Sequence, residues 1–505
     1  MNVYDQVSKA RSVGTPLLGV TTPDQVATTK ALLSRFVMDL DEAGVEEPLV
    51  AVQWDAVRGL QGLNAHGKQW VVTNDPENMT IGTIPALGAL EKLPEYAVAF
   101  FQNAQRYIES SDVAQAVFNL REEFKAHLQT LILLGPALPL PAELRGGDIQ
   151  VYDEPLPDAL ELEKVVTMAY QSNKIKVPTG KVLEQAAGQL MGLSNFAAEQ
   201  VAMMSMGDTG IEFPQLVERR YKTIDQNDGL KVYRGKERFA DIGGLHNIKA
   251  EFMRLIKGRK APRLIVILEE MDKMFASFAT DSTGISQYQV GKTLSFMQDT
   301  EAVGAIGLGS PGTGKSLVAK ALGNEAGIPA INIDFGAMQS GLVGSSQEKT
   351  NAAFKVIEAL SGGQAFFFGT CNRVTNLPPE LRRRFRMGTY YFELPDAEEK
   401  DTIWKYYLSK YGFGGVELPN DKGWTGAEIW QCCDKAWRYG LNPIDVAGTV
   451  IPVSVAAFDE VEALRKSASG KYQSANHEGV YIYRPGTEEG VQEPVTGRKT
   501  MRKVQ

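Results

Sequence analysis

Three groups of residues in this chain have the types and spacing to do chemistry together. The first is Gly309-Ser310-Pro311-Gly312-Thr313-Gly314-Lys315-Ser316, which has the spacing GxxxxGKS. Glycines at these positions let the backbone curl until its N–H groups point inward, and a helix N-terminus behind them adds partial positive charge, so the loop can cradle phosphates. Lys315 would reach the β- and γ-phosphates, and the Ser316 hydroxyl would ligate Mg²⁺. The second group is Leu264-Ile265-Val266-Ile267-Leu268 followed by Glu269-Glu270. A buried strand of this kind delivers carboxylates to its C-terminal end, where ligands bind in open α/β sheets. Glu269 is expected to hold Mg²⁺ through water and Glu270 to polarise an attacking water. The third group is polar. Asn372 follows the apolar strand Ala365–Gly369 and can hydrogen-bond the attacking water or the γ-phosphate. Arg382-Arg383-Arg384-Phe385-Arg386 places four arginines in five positions, and their rigid forks match phosphate oxygens, often those of a neighbouring subunit. Taken singly, each has a plainer reading: a solvated acidic turn, a turn-forming asparagine, a surface salt-bridge cluster. The phosphate loop in the same half of the chain favours the functional one.

These side chains need elements to hold them. Ala305–Leu308 reads as a buried strand leading into the loop, and Leu317–Leu322 as an apolar-striped helix leaving it. Phe239–Leu245 opens the region, Ala330–Phe335 supplies another strand, and Trp424-Thr425-Gly426-Ala427-Glu428 opens a helix beyond it. The predicted organisation of this half is an α/β core over 236–398, a helical lid over 399–466 and a polar, mobile tail over 467–505 whose end is basic.

The first half alternates strands and helices over 1–160. Strands are predicted at Pro16–Thr21, Leu49–Trp54, Ala97–Gln102, Thr130–Gly135 and Ile149–Asp153, with helices such as Thr28–Asp41 and Val113–Gln129 between them. That pattern implies a parallel, helix-covered sheet. It holds no GxxxxGK, and where an acidic strand could end it has Gln102-Asn103. Residues 161–235 read as a helical lid and linker, with helices over Val182–Met191 and Asn195–Met206 and a turn-rich linker over Gly207–Lys236. An internal echo joins the halves. Leu140-Pro141-Ala142-Glu143-Leu144 precedes a strand and then Leu156-Pro157-Asp158; Leu377-Pro378-Pro379-Glu380-Leu381 precedes a strand and then Leu394-Pro395-Asp396. We read two copies of one nucleotide-binding core, the first without its chemistry.

The totals bound the rest. The 505 residues carry a net charge of −8, which gives no electrostatic case for a nucleic-acid or membrane surface. Three cysteines, Cys371, Cys432 and Cys433, form neither a disulfide framework nor a zinc pattern and suit a reducing compartment. There is no apolar signal core near Met1 and no run of 18 apolar residues, so a cytoplasmic chain without membrane attachment is expected.

With these residues in view, the second half resembles the AAA family of ATPases, within AAA+. The Ile242-Gly243-Gly244-Leu245 opening, the phosphate loop, the acidic strand, Thr370-x-Asn372, the arginine run before Phe385 and Gly426-Ala427 all match that family's motifs. The resemblance implies an α/β fold of two tandem P-loop-type parallel sheets covered by helices, the first degenerate, each followed by a small helical lid. It implies ATP and Mg²⁺ as ligands. Ile242 and Gly243 would border the adenine; Ser310 to Leu317 would line the phosphates; Gly426 and Ala427 would approach from the lid. Glu270 would be the catalytic glutamate, Asn372 the sensor, and Arg384, with Arg383 next, the finger reaching a neighbour's γ-phosphate. A homo-oligomeric ring, six subunits expected, would remodel a macromolecular partner, a protein before a nucleic acid. The alternatives are an ATP-binding switch or scaffold with little turnover, and a nucleic-acid motor or loader. The first half, with Trp54-Asp55 and Asn119-Leu120-Arg121, looks like the AAA proteins of chloroplast and cyanobacterial genomes that carry an inactive N-terminal core; the second half also resembles AAA proteins of tailed phages.

The chain departs from the family pattern in three places. The acidic strand precedes the phosphate loop, whereas the family places it between that loop and Thr370-x-Asn372. Glu269 stands where the family has Asp. Leu342 stands where a pore aromatic is usual. The block 264–301 thus looks transposed, and we expect the same site to be assembled by a permuted chain, since helical crossovers can skip strands.

Overall fold

The computed structural model describes residues 2–44, 48–75, 77, 79–276, 284–339, 343–373 and 379–484; Leu342 lies outside them. The chain forms two compact units, Met1–Thr223 and Ile224–Gln505.

In the first unit, near-continuous apolar runs make strands buried on both faces, as in Thr130–Gly135. The strands are β1 (Leu17–Thr21), β2 (Ala51–Asp55), β3 (Gly59–Gly62), β4 (Val98–Phe101), β5 (Thr130–Gly135) and β6 (Gln150–Asp153). They lie in the order β3-β2-β4-β5-β1-β6, all pairs parallel except the β2–β3 hairpin. The sequence reading lacks β3. Its turn is set by the Asp55 carboxylate, which accepts the N–H groups of Val57 and Arg58 at 3.0 and 2.9 Å, a side-chain device rather than a hydrophobic period. One face of the sheet carries a cluster around Trp54, whose ring stacks on Phe101 at 4.4 Å and whose N–H donates to the Thr80 carbonyl. The other carries Leu32, Phe36, Ile132 and Leu134. The helices Ala159–Ser172, Lys181–Leu190 and Asn195–Met204 follow.

The segment Gly207–Lys236, read as a polar, turn-rich linker, contains the boundary between the two units and also carries regular structure. A short hairpin of β7 (Met206–Gly207) and β8 (Gly210–Ile211) precedes the helix Phe213–Ile224, and β9 (Leu230–Val232) joins the second sheet. Sparse apolar residues do this: Leu216, Ile224, Leu230 and Val232 are all buried, each separated by charged neighbours that mask the pattern.

The second sheet contains β9, β10 (Leu264–Leu268), β11 (Val303–Gly309), β12 (Ala330–Ile333), β13 (Ala365–Cys371), β14 (Thr389–Phe392) and β15 (Gln473–Ser474), in the order β15-β14-β11-β13-β10-β12-β9. The strands are parallel except β9, which runs antiparallel on β12. Phe252, from the helix His246–Ile256, meets Phe366 and Phe368 edge-on at 5.4 and 5.7 Å and seals the sheet's face. The region from residue 467 is not a mobile tail throughout. Ser474, Ala475, Asn476 and Tyr481 are buried because β15 finds an open edge on β14; residues 485–505 lie outside the described ones.

Laid side by side, the two sheets have one plan. β6-β1-β5-β4-β2-β3 matches β14-β11-β13-β10-β12-β9, including the antiparallel edge strand. β10 therefore occupies the position of β4 although it comes before β11 in the chain. The helix Ile285–Asp299 carries the chain from β10 back to β11 across β13. The echoed Asp158 and Asp396 do the same job: each caps a helix through a reciprocal box, with Glu161 and Glu399 respectively. The turns after β4 and β10 also agree, for Asn103 and Glu270 both adopt left-handed backbone, φ 53° and 54°.

Candidate nucleotide site

Between β11 and the helix Lys315–Ala326 the loop turns through Gly312 and Gly314, at φ 84° and 88°, values that side-chain-bearing residues rarely adopt. Gly312 has no room for a side chain either: a Cβ there would lie 2.6 Å from Thr425 Oγ1 and 2.8 Å from the Ala427 methyl. The lid helix Gly426–Tyr439 thus starts against the loop, its first turn fixed by the Thr425–Glu428 box.

Lys315 is buried. Its Nζ donates to the Gly309 and Ser310 carbonyls at 2.6 and 2.7 Å and to Asn372 Oδ1 at 3.3 Å. Burial lowers its pKa to about 8, against a partial counter-effect from Cys371, Asp272 and Glu270. Cys371 itself is buried and its thiol is pushed up to about 12, mainly by desolvation, so it serves as packing and not as a nucleophile.

At the end of β10 the two glutamates diverge. Glu269 turns toward the loop helix. It accepts from Lys320 Nζ at 3.0 Å and from Asn332 Nδ2 at 3.1 Å. Burial would raise its carboxyl, but hydrogen bonds from Lys320, Ser316 and Asn332 outweigh that and hold it below the usual carboxylate range. Glu270, on the left-handed turn, has its N–H on Thr370 Oγ1 at 3.1 Å and its carboxylate on Lys273 Nζ at 2.7 Å. Both glutamates line a cavity of about 470 Å³ together with Pro311 to Leu317 and Asn372. Ile242, Gly243, Gly426 and Ala427 line it too, so the opening segment, the loop, the acidic strand and the lid converge on one space. Ser310 contributes through its carbonyl on Lys315.

The arginines stand apart. Arg382 and Arg383 are exposed, and Arg384 donates to Gln298 Oε1 at 2.6 Å. None of them lines the cavity of its own chain. Sequence reading missed Lys320, Asn332, Glu399, Ile403, Tyr407 and Asn476. Two had a signal: Lys320 is one helical turn beyond Ser316, and Asn332 is a polar break in the apolar strand Ala330–Ile333.

In the first unit the same places carry different chemistry. Asp24, with a carboxylate accepting the Ala27 N–H at 3.1 Å, caps the helix that follows β1, so an anion of the protein occupies the helix end where phosphate would go. Gln102 stands where Glu269 does, donating to Gln53 Oε1 at 3.3 Å and Thr29 Oγ1 at 3.2 Å.

Two family models match the chain. Residues 5–152 match the SpoVK-like AAA ATPase N-terminal domain, and residues 305–362 match the ATPase family associated with various cellular activities. The chain is therefore similar to AAA proteins in both of its halves. The second match starts inside β11 and stops before β13, leaving β10, the transposed strand, outside it. Relatives run over most of the length. The AAA domain-containing protein ycf46 of Guillardia theta is 21% identical over 469 residues, covering 80% of this chain and 86% of its own. That of Pyropia yezoensis is 23% identical over 421 residues, covering 71% and 78%. That of Trieres chinensis is 22% identical over 417 residues, covering 71% and 77%.

Two consequences of this geometry can be measured. A phosphate group bound against Lys315 would favour its charged form and raise its pKa from about 8. At pH 8 roughly half of the lysines must gain a proton on binding, at pH 6.5 almost none, and affinity declines as pH climbs through 8. Calorimetric titration of ATP in buffers of different ionisation enthalpy is expected to show uptake near half a proton at pH 8; zero uptake there contradicts it. The same titration is expected to give one nucleotide per chain, because Asp24 and Gln102 leave the first unit without a phosphate site. Two per chain would overturn that reading.

Proposed function

We propose that the second unit binds ATP with Mg²⁺ and hydrolyses it to ADP and phosphate between subunits of a homo-oligomeric ring, six subunits expected, and so remodels a macromolecular partner. One observation carries this: the acidic strand, out of order in the chain, lies in order in the sheet, with Glu269 hydrogen-bonded to residues of the phosphate-loop helix.

The residues fit the ligands. The loop is a glycine cradle, and Ser316 with Glu269 is a hard oxygen pair of the kind Mg²⁺ accepts beside phosphates. Bound there, Mg²⁺ would neutralise charge on the phosphates. Lys315 adds a second positive charge on the β- and γ-oxygens. Ile242 and Gly243 border the base, with Gly426 and Ala427 closing from the lid. Glu270 takes a proton from water as it attacks the γ-phosphorus, while the bond to the β-phosphate oxygen breaks. Asn372, within reach of Lys315, orients that water or the γ-phosphate. Arg384, with Arg383 beside it, stabilises the transition state of a neighbour, which agrees with neither of them lining the cavity of its own chain. The net charge of −8 argues for a protein partner before a nucleic acid, and the buried free thiols suit the cytoplasm. Among the described residues no helix is long and apolar enough to cross a membrane.

A second reading, an ATP-bound switch or scaffold with little turnover, draws on the Glu270–Lys273 pair, which ties up the general base. Turnover measured against protein concentration separates the two. The ring ATPase is expected to rise more steeply than linearly and to regain activity when Arg384→Ala chains are mixed with Lys315→Ala chains. Binding of ATP with no turnover at any concentration would favour the switch.

A further inference from the structure

The strand β15 and the residues after it do more than close a sheet edge. The Ala475 N–H donates to the Tyr391 carbonyl at 2.8 Å. The first turn of the helix His246–Ile256 donates back to this segment: Asn247 N–H to the Asn476 carbonyl at 3.2 Å and Ile248 N–H to the Ala475 carbonyl at 3.1 Å. The Asn247 side chain adds a bond to the Ser474 carbonyl at 2.7 Å. Asn476 is therefore held from both sides, and only 3% of it is exposed.

Its side chain is oriented by chemistry. Nδ2 lies 2.9 and 2.8 Å from the two oxygens of Glu399, a carboxylate that also accepts the Asp396 N–H at 3.0 Å. A carboxylate only accepts, so the amide nitrogen must face it and Oδ1 must face away. Oδ1 is buried and has no hydrogen-bond partner, while Asn476 lines the cavity. A buried acceptor left unpaired is costly and calls for a donor. Glu399, to which Asn476 is tied, packs against the opening segment: a Cβ on Gly244 would lie 2.2 Å from its Oε1, and one on Gly243 would lie 2.5 Å from Ile403. Asn476 lines the same cavity as Ile242, Gly243 and Ile403, and it is joined to the last two through Glu399, whose carbonyl and Ile403 both pack on Gly243.

We propose that Asn476 is the base-selecting residue of the site, its Oδ1 accepting a hydrogen from the 6-amino group of adenine. Guanine presents an oxygen at that position, which would set two acceptors against each other. This rests on the reading that the cavity takes a nucleoside triphosphate.

The test compares ATP, GTP and purine riboside triphosphate, which lacks the 6-amino group, binding to the full-length chain and to Asn476→Ala in Mg²⁺. Wild type is expected to prefer ATP to the deamino analogue by about tenfold, with GTP weaker still. In Asn476→Ala the ATP and analogue affinities are expected to converge within about twofold, with the analogue's own affinity unchanged. A preference that survives in the variant overturns the proposal, as does a wild type that binds ATP and the analogue equally. A wild type that binds ATP no better than the analogue overturns the proposal even where Asn476→Ala does not fold, and Asn476→Asp, which keeps an acceptor oxygen, is then expected to retain the preference for ATP. If wild type binds none of the three, the nucleotide reading falls and this proposal with it; if it binds all three equally, only this proposal falls.

Discussion

Glu270→Gln is expected to lower ATP turnover by at least about 100-fold, in line with the loss of a general base, while leaving ATP affinity within about threefold. The reason is positional. Glu270 sits on a left-handed turn fixed by Thr370, so its carboxylate is carried at the rim of the cavity and contacts Lys273, not the phosphate loop. Glutamine keeps the shape and the turn but cannot take a proton. Steady-state phosphate release and equilibrium binding of ATP, measured on the same preparation, separate the two effects. Equal turnover in both proteins would remove Glu270 from the mechanism and leave the Lys273 pair as its purpose.

Lys315→Ala is expected to weaken ATP binding by at least about 30-fold, the equivalent of losing a charge-assisted contact of about 2 kcal/mol. Fold and function are separable here. Burial lowers the Lys315 pKa from its ordinary value to about 8, so the ammonium opposes folding below pH 8, and that cost fades as pH rises from 8 toward the unfolded value. Removing it is therefore expected to keep the melting temperature within about 4 °C. A large fall in melting temperature with no change in ATP affinity would make Lys315 a structural residue instead.

Much of this was legible before any coordinates. The phosphate loop announces itself because phosphate binding demands glycines and a lysine at fixed spacing between a strand and a helix. The acidic strand was legible because a strand buried on both faces must be apolar throughout, and β10 is five such residues ending in two acids. The family's usual order then implied that this strand had moved, and the sheet order agrees. What escaped is short or distant. The strands β3, β9 and β15 have four, three and two residues, too few to show a period, and they form because an open edge is available. Asn476 meets Glu399 across 77 positions of chain, a contact no local pattern encodes. The arginines are a third kind of case, since their expected target is on another copy of the chain.

The central claim is that the displaced strand and the phosphate loop build one site. A double-mutant cycle between Glu269→Gln and Ser316→Ala, read as Mg²⁺-dependent ATP affinity, tests it most directly. If the two side chains act on one cation, each single change removes most of what the pair supplies, and the double change costs less than their sum by about 1 kcal/mol or more. That coupling should vanish when Mg²⁺ is chelated. Additivity within about 0.3 kcal/mol in the presence of Mg²⁺ would mean that the transposed strand and the loop, though neighbours in the sheet, do not share a site.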